Sequence, residues 1–137
     1  MKASRLVTKY RDLEVYKAAL HFQQAIFKMS KQFPREEMFS LTDQIRRSSR
    51  SIGANIAESW AKRRYPAHFL SKLTDADGEL QETFHWLRTA YLCEYLNEEE
   101  ATKLADQGTE VGSMLGSMIS NHESFCIHQP QPKPRRR

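Results

Sequence analysis

Cysteine, glycine and proline are all scarce in this chain of 137 residues, and each shortage removes a class of protein. The two cysteines, Cys93 and Cys126, share no C-x-x-C spacing and are too few for a disulfide framework. A zinc site is therefore not indicated, and both read as structural thiols. Five glycines and five prolines are far below what low-complexity or collagen-like chains carry. No stretch approaches the ~18 to 20 apolar residues that a membrane span requires, and Met1-Lys2-Ala3-Ser4-Arg5 leads into no apolar signal core. A cytoplasmic protein with no membrane partner is expected. Strand-like alternation between hairpin turns is missing, and so is any repeat of roughly 20 to 50 residues.

What is present is a folded composition, 39% hydrophobic and 28% charged, in a length that suits one domain with one core. Apolar spacing and punctuation divide it into four helices. In the first, Leu13, Tyr16, Leu20 and Phe27 form one stripe, and Val15, Phe22, Ile26, Met29 and Phe33 a second beside it, before Pro34 ends the segment. Ser40 reads as the N-cap of a second helix whose face runs through Leu41, Ile45, Ile52, Ile56 and Trp60 to about Arg64. Tyr65-Pro66 breaks the chain and opens a third, with Leu73, Ala76, Leu80, Phe84, Leu87, Tyr91 and Tyr95 along it. Asn97 caps the fourth, where Glu98, Glu99 and Glu100 meet the positive end of the helix dipole.

The fourth helix repeats apolar or small residues at Ala101, Leu104, Gly108, Val111, Leu115, Met118 and His122, the alternating three-and-four step of bundle packing. Gly108, Gly112 and Gly116 fit either close approach of another helix or a merely soft helix. The economical architecture is all-α, an up-down antiparallel four-helix bundle over residues 1–125. Residues 126–137 alternate proline with polar groups and end in Arg135, Arg136 and Arg137, so a mobile tail is expected. Phosphate contact and simple solubilisation both fit it.

Charge is unevenly spread. Residues 41–72 carry seven Lys/Arg against two Asp/Glu, whereas residues 73–110 carry two against ten. The densest basic signal is Arg46, Arg47 and Arg50 on the second helix, followed by Lys62, Arg63 and Arg64 at its exit. Arg46 and Arg50 are one turn apart and share a face, with Arg47 about 100° round from Arg46. Paired N–H donors suit guanidinium groups to phosphate, which makes a nucleic-acid backbone a natural ligand; ion pairing with the acidic third helix of the same or a neighbouring subunit is the competing reading for the first cluster. Between the clusters, Gly53, Ala54, Ala57 and Ala61 form a smooth face. Asn55 and Glu58 lie on one side of it as polar groups that would fix how helices dock.

Catalytic signals are weak. Glu82-Thr83-Phe84-His85 matches one Glu-x-x-His element, but a di-metal bundle needs it on two helices, and no second copy exists. His21, His68, His122 and His128 lack ligand-type partners at metal spacing, and no Gly-rich phosphate loop or nucleophile elbow occurs. No enzyme activity, metal or cofactor is expected.

The runs Tyr10-Arg11-Asp12-Leu13-Glu14-Val15-Tyr16, Phe33-Pro34 and Leu41-Thr42-Asp43-Gln44-Ile45-Arg46-Arg47 through Ser51-Ile52-Gly53-Ala54-Asn55-Ile56-Ala57-Glu58 resemble one family. It is the four-helix-bundle family of proteins encoded in intervening sequences of bacterial 23S ribosomal RNA genes. That family includes the accessory variability determinant (Avd) of diversity-generating retroelements. The resemblance covers about residues 10–120 and departs at Ser59, where the family usually has Gly, a change that would alter how the second helix bends or ends. It implies a homopentameric, barrel-like ring with a basic surface or channel. For Avd-type members it implies binding to nucleic acid and to a reverse transcriptase as a non-catalytic partner. The expected function is therefore an oligomeric scaffold for structured RNA or RNA–DNA, with RNA favoured over DNA. A protein-interaction module of the intervening-sequence type is the alternative.

Overall fold

A computed structural model of the chain describes residues 7–127. Four long helices dominate: α1 (Glu14–Ser30), α2 (Leu41–Ala61), α3 (Pro66–Leu92) and α4 (Glu98–Ser120), followed by a single turn, α5 (His122–Phe125). No strand occurs among the described residues. Each long helix packs against its neighbours in sequence and α4 closes back on α1, giving the up-down square expected from short connections. α2 and α3 share the most extensive contact.

Each of the four long helices buries most of the apolar positions its periodicity marks, Leu20 and Tyr91 being exposed exceptions. Phe22 and Ile26 of α1, Ile45, Ile52 and Ile56 of α2, Phe69, Leu73 and Leu80 of α3, and Val111 and Leu115 of α4 form one fully enclosed core. Burial of one such side chain stabilises the fold by ~1.5 to 3 kcal/mol. In α1 the second of the two expected stripes carries that core, while Leu20 in the first is 41% exposed. Small hydroxyl residues let α2 approach α3. Ser48 and Thr83 share a buried hydrogen bond of 2.8 Å, and Ser49 and Ser59 return their hydroxyls to Arg46 O and Ile56 O of their own helix. Ser59 therefore sits inside an unbroken α2, which runs on to Ala61.

Helix ends differ from the sequence expectation in ways that local bonding explains. α1 stops at Ser30 rather than Phe33, because Gln32 and Phe33 already close tighter three-residue turns on Met29 O and Ser30 O. Ser40 makes no capping bond. Its hydroxyl donates to Glu37 Oε1 at 2.6 Å, and that carboxylate reaches the Leu41 N–H at 3.4 Å, so Glu37 takes the capping role. α2 gives way to a turn at Lys62 instead of continuing to Arg64. α3 stops at Leu92 because Glu94 adopts φ 63°, and the Tyr95 N–H closes on Ala90 O. At Asn97 the expected cap is complete, with its side chain accepting from Glu100 N and Glu100 Oε1 accepting from Asn97 N.

The three α4 glycines are not equivalent. A Cβ at Gly108 would come within 2.5 Å of the Phe84 ring, one at Gly112 within 3.2 Å of Leu80, and one at Gly116 would meet open space. Close approach explains Gly108, and Gly112 in lesser degree, but not Gly116.

The two ends of the bundle are closed separately. Where α1 meets α2, Tyr95 donates its phenol to Glu37 Oε2 at 2.8 Å, Gln32 Nε2 donates to Tyr95 O, and Phe33 packs on the Tyr95 ring. At the opposite end Trp60 Nε1 donates to Thr8 O, and the Ile127 N–H donates to Arg63 O. Cys126 is buried in the core there, so Cys126 and Ile127, expected as the first residues of the tail, are attached to the bundle. Cys93, expected as a structural thiol, is exposed at the end of α3. Arg135, Arg136 and Arg137 lie outside the described residues.

Candidate nucleic-acid interface

α1 and α2 run side by side, and the first half of α2 presents Arg46 and Arg50 towards the C-terminal turn of α1. Arg46 is half-buried; its Nε donates to Ser30 Oγ at 2.7 Å and its guanidinium lies 4.8 Å from the centre of the Phe27 ring. Arg50 lies 5.5 Å from the centre of the same ring, and Lys31 Nζ lies 4.8 Å from it. Three cations thus gather round one aromatic face, each contact worth about 0.5 to 1 kcal/mol at such a site. Their mutual repulsion works against that gain and leaves the cluster open to an anion.

Arg47 is exposed and lies near Glu79 of α3. Burial is the main force raising the Glu79 carboxyl above its ordinary range, with Glu82 adding to it, while Arg47 and the Ser51 hydroxyl pull the other way. Arg47 and Glu79 do not close to an ion pair. Among the described residues the ion pairs are Lys17–Glu14 and Lys72–Glu58, so Arg46 and Arg50 do not pair with the acidic third helix of their own subunit. Arg46 is turned to α1 by the Ser30 hydroxyl and the Phe27 ring instead.

The second basic cluster stands apart. Twelve residues separate Arg50 from Lys62, or about 18 Å of helix at 1.5 Å per residue. Arg63 folds inward, its guanidinium 3.8 Å above the Trp60 ring and its Nε donating to Trp60 O at 2.9 Å. Burial lowers its pKa from the ordinary value, opposed by the nearby Cys126 thiol. Lys62 and Arg64 are exposed on either side of it. The expected nine-residue set therefore divides into outward cations at Arg47, Arg50, Lys62 and Arg64, inward ones at Arg46 and Arg63, and three residues outside the description.

Asn55 and Glu58 do not act together. Asn55 Nδ2 donates to Ser51 O of its own helix, whereas Glu58 is exposed and forms a 2.9 Å ion pair with Lys72 of α3. Only Glu58 reaches across to another helix. Gly53 faces the Tyr16 ring of α1, but Ala54 and Ala61 are exposed, so the small residues do not make one buried face. In the Glu-x-x-His element, Glu82 Oε2 accepts from Trp86 Nε1 and His85 packs edge-on to the same Trp86 ring. Among the described residues no group of three or more His, Cys, Asp or Glu is placed to hold a metal ion.

Three residues of this surface escaped the sequence reading: Phe27, Lys31 and Phe39. Phe27 reads as core, and only the 27-to-31 helical step hints that a cation shares its face. Phe39 is 95% exposed between the tight turn at Arg35–Glu37 and α2, beside the groove that Arg46, Arg47 and Arg50 line. No described helix is long and apolar enough to cross a membrane.

Residues 11–117 match the model of a family described as 23S rRNA-intervening sequence protein. No curated protein matches the chain. Among solved structures, one from Bacteroides thetaiotaomicron is described as a protein of unknown function from the S23 ribosomal protein family. It is 33% identical, covers 77% of this chain and 95% of its own, and superposes with a TM-score of 0.70.

Proposed function

The chain belongs to the 23S rRNA-intervening sequence protein family, and on that premise we propose that it is a non-catalytic, oligomeric scaffold that binds structured RNA or RNA–DNA through its basic surface. The observation that carries the proposal is the set of four outward cations, Arg47, Arg50, Lys62 and Arg64, with no ion pair among the described residues. Exposed, unpaired guanidinium and ammonium groups neutralise phosphates, and the release of condensed counterions drives that association. The groups lie on a helix and at its exit turn and carry no base-reading motif, which suits contact with a folded backbone rather than with a sequence.

The proposal includes assembly into a ring of like subunits, in which two small patches per subunit become a continuous multivalent surface. It also includes an accessory place beside a retroelement reverse transcriptase of the Avd type, with the bundle as the non-catalytic partner. Both rest on the family resemblance. The strong charge contrast between residues 41–72 and 73–110 suits contacts between copies.

The test is a fluorescence-anisotropy titration of a labelled RNA hairpin over a range of salt concentrations. Arg47→Ala/Arg50→Ala and Lys62→Ala/Arg64→Ala are each expected to weaken binding and to reduce the log–log salt slope by roughly 1.4 to 1.8, two phosphate contacts' worth. Slopes unchanged in both variants would reject the proposal in favour of docking to an acidic protein surface. Light scattering on the same samples would test assembly, and a monomer would remove the ring.

A further inference from the structure

Phe39 is the most exposed large apolar side chain of the described residues, and its position rather than its exposure alone suggests an occupant. The turn at Arg35–Glu37 and the Glu37 carboxylate fix the entry to α2, with Leu41 and Thr42 immediately beyond buried in the bundle. Phe39 thereby lines one groove together with Met38, Arg46, Arg47 and Arg50, with Asp43 the one carboxylate among the groove residues. An apolar ring left in water forgoes the stabilisation that burial would give it. Three guanidinium groups against one carboxylate leave the groove strongly positive, with paired N–H donors suited to phosphate. A ligand that carries a flat π face and its own anion satisfies both halves of the groove at once.

We infer that this groove holds an unpaired nucleotide segment, one base stacked on Phe39 and the adjoining phosphates contacted by Arg47 and Arg50. The inference rests on the nucleic-acid reading above and narrows it, because a base inside an A-form duplex is already stacked and offers Phe39 no free face. It assigns the loop or single-stranded part of the RNA to the α1–α2 end and leaves the Lys62 and Arg64 end to contact backbone only. Arg46/Arg47 and Arg50 lie one helical turn apart, about 5.4 Å, so successive phosphates can be met along the groove. Base–aromatic stacking is worth ~1 to 3 kcal/mol per base, enough for Phe39 to discriminate single strand from duplex.

The experiment compares a labelled oligoadenylate with a blunt RNA duplex by anisotropy at one low salt concentration, for the full chain and three variants. Phe39→Ala is expected to weaken oligoadenylate binding by ~5- to 100-fold and leave duplex binding within a factor of two; Phe39→Trp should retain the affinity, with its indole emission quenched by the bound base. Arg47→Ala/Arg50→Ala should weaken both probes. Phe39→Ala with unchanged affinity for both, or an equal loss for both, would overturn the inference while leaving the nucleic-acid reading intact. Light scattering of Phe39→Ala supplies the remaining arm, since a smaller assembly would make Phe39 a contact between copies and overturn the inference too. Failure of the unmodified chain to bind either probe would overturn the reading and the inference together.

Discussion

At the α1–α2 end of the bundle the arginines lie along a helix and lean on Phe27, whereas at the opposite end a single arginine is folded onto Trp60 between two free cations. The two ends look alike as charge runs, yet they spend their cations differently. Phe27 is only half-buried, so its ring is a platform with several cations at its rim. Trp60 is buried and its indole N–H is tied to Thr8 O, so Arg63 acts as a lid over an anchored ring. Density of positive charge therefore says little about how much of it is available. The aromatic beneath each group decides whether a guanidinium serves the fold or the solvent face.

The largest expected effect separates the two rings. Trp60→Ala should cost ~3 to 5 kcal/mol in urea unfolding, because it empties a core position and releases the Thr8 and Arg63 contacts together. Phe27→Ala should cost less than half of that. Equal losses would break the distinction between anchor and platform. One step smaller, Arg63→Ala should destabilise by about 1 to 2 kcal/mol through the lost hydrogen bond and ring contact, while Lys62→Ala should change stability by less than ~0.5 kcal/mol. Similar values for the two would mean that the inward position of Arg63 contributes nothing.

The smallest effect is in pH dependence and, at the α1–α2 end, centres on the Glu37–Tyr95 contact. The Ser40 hydroxyl and then the Tyr95 phenol lower the Glu37 carboxyl from its ordinary 4.5, and the bond to Glu37 pushes Tyr95 up from 10.0 to about 12. The lowered Glu37 value contributes stability that is present above pH 4.5 and lost as pH falls through the folded value. The raised Tyr95 value contributes stability that is full below pH 10 and lost as pH rises towards 12. Thermal melts across pH should show that alkaline loss in the unmodified chain and a shallower one in Tyr95→Phe. Identical alkaline profiles would remove the Glu37–Tyr95 contact from the account of this end.

Much of the fold was legible because helices report their buried faces through spacing. Leu104, Gly108, Val111, Leu115 and Met118 step along α4 as the bundle requires and are the residues it buries. Asn97 was legible because its capping partner, Glu100, lies within the same turn. Ser40 was not, because a carboxylate three residues earlier captured its hydroxyl and took over the helix start. Gly108 and Gly116 look identical in the chain; the Phe84 ring of α3 makes one a necessity and leaves the other open. Within the candidate interface, the charge clusters were visible but the roles of Arg46 and Arg63 were not.

By itself the sequence determined that four helices form, where proline and asparagine separate them, which faces are apolar, and that positive charge gathers on α2 while negative charge gathers on α3 and α4. Those properties depend on residues within a turn or two of one another, so local spacing is enough to specify them. Tertiary structure alone decided which cations remain free. For Arg46 that choice was made by Ser30 and Phe27, which become its neighbours only when α1 and α2 dock, and a guanidinium settles on whichever ring or hydroxyl the docking brings within reach.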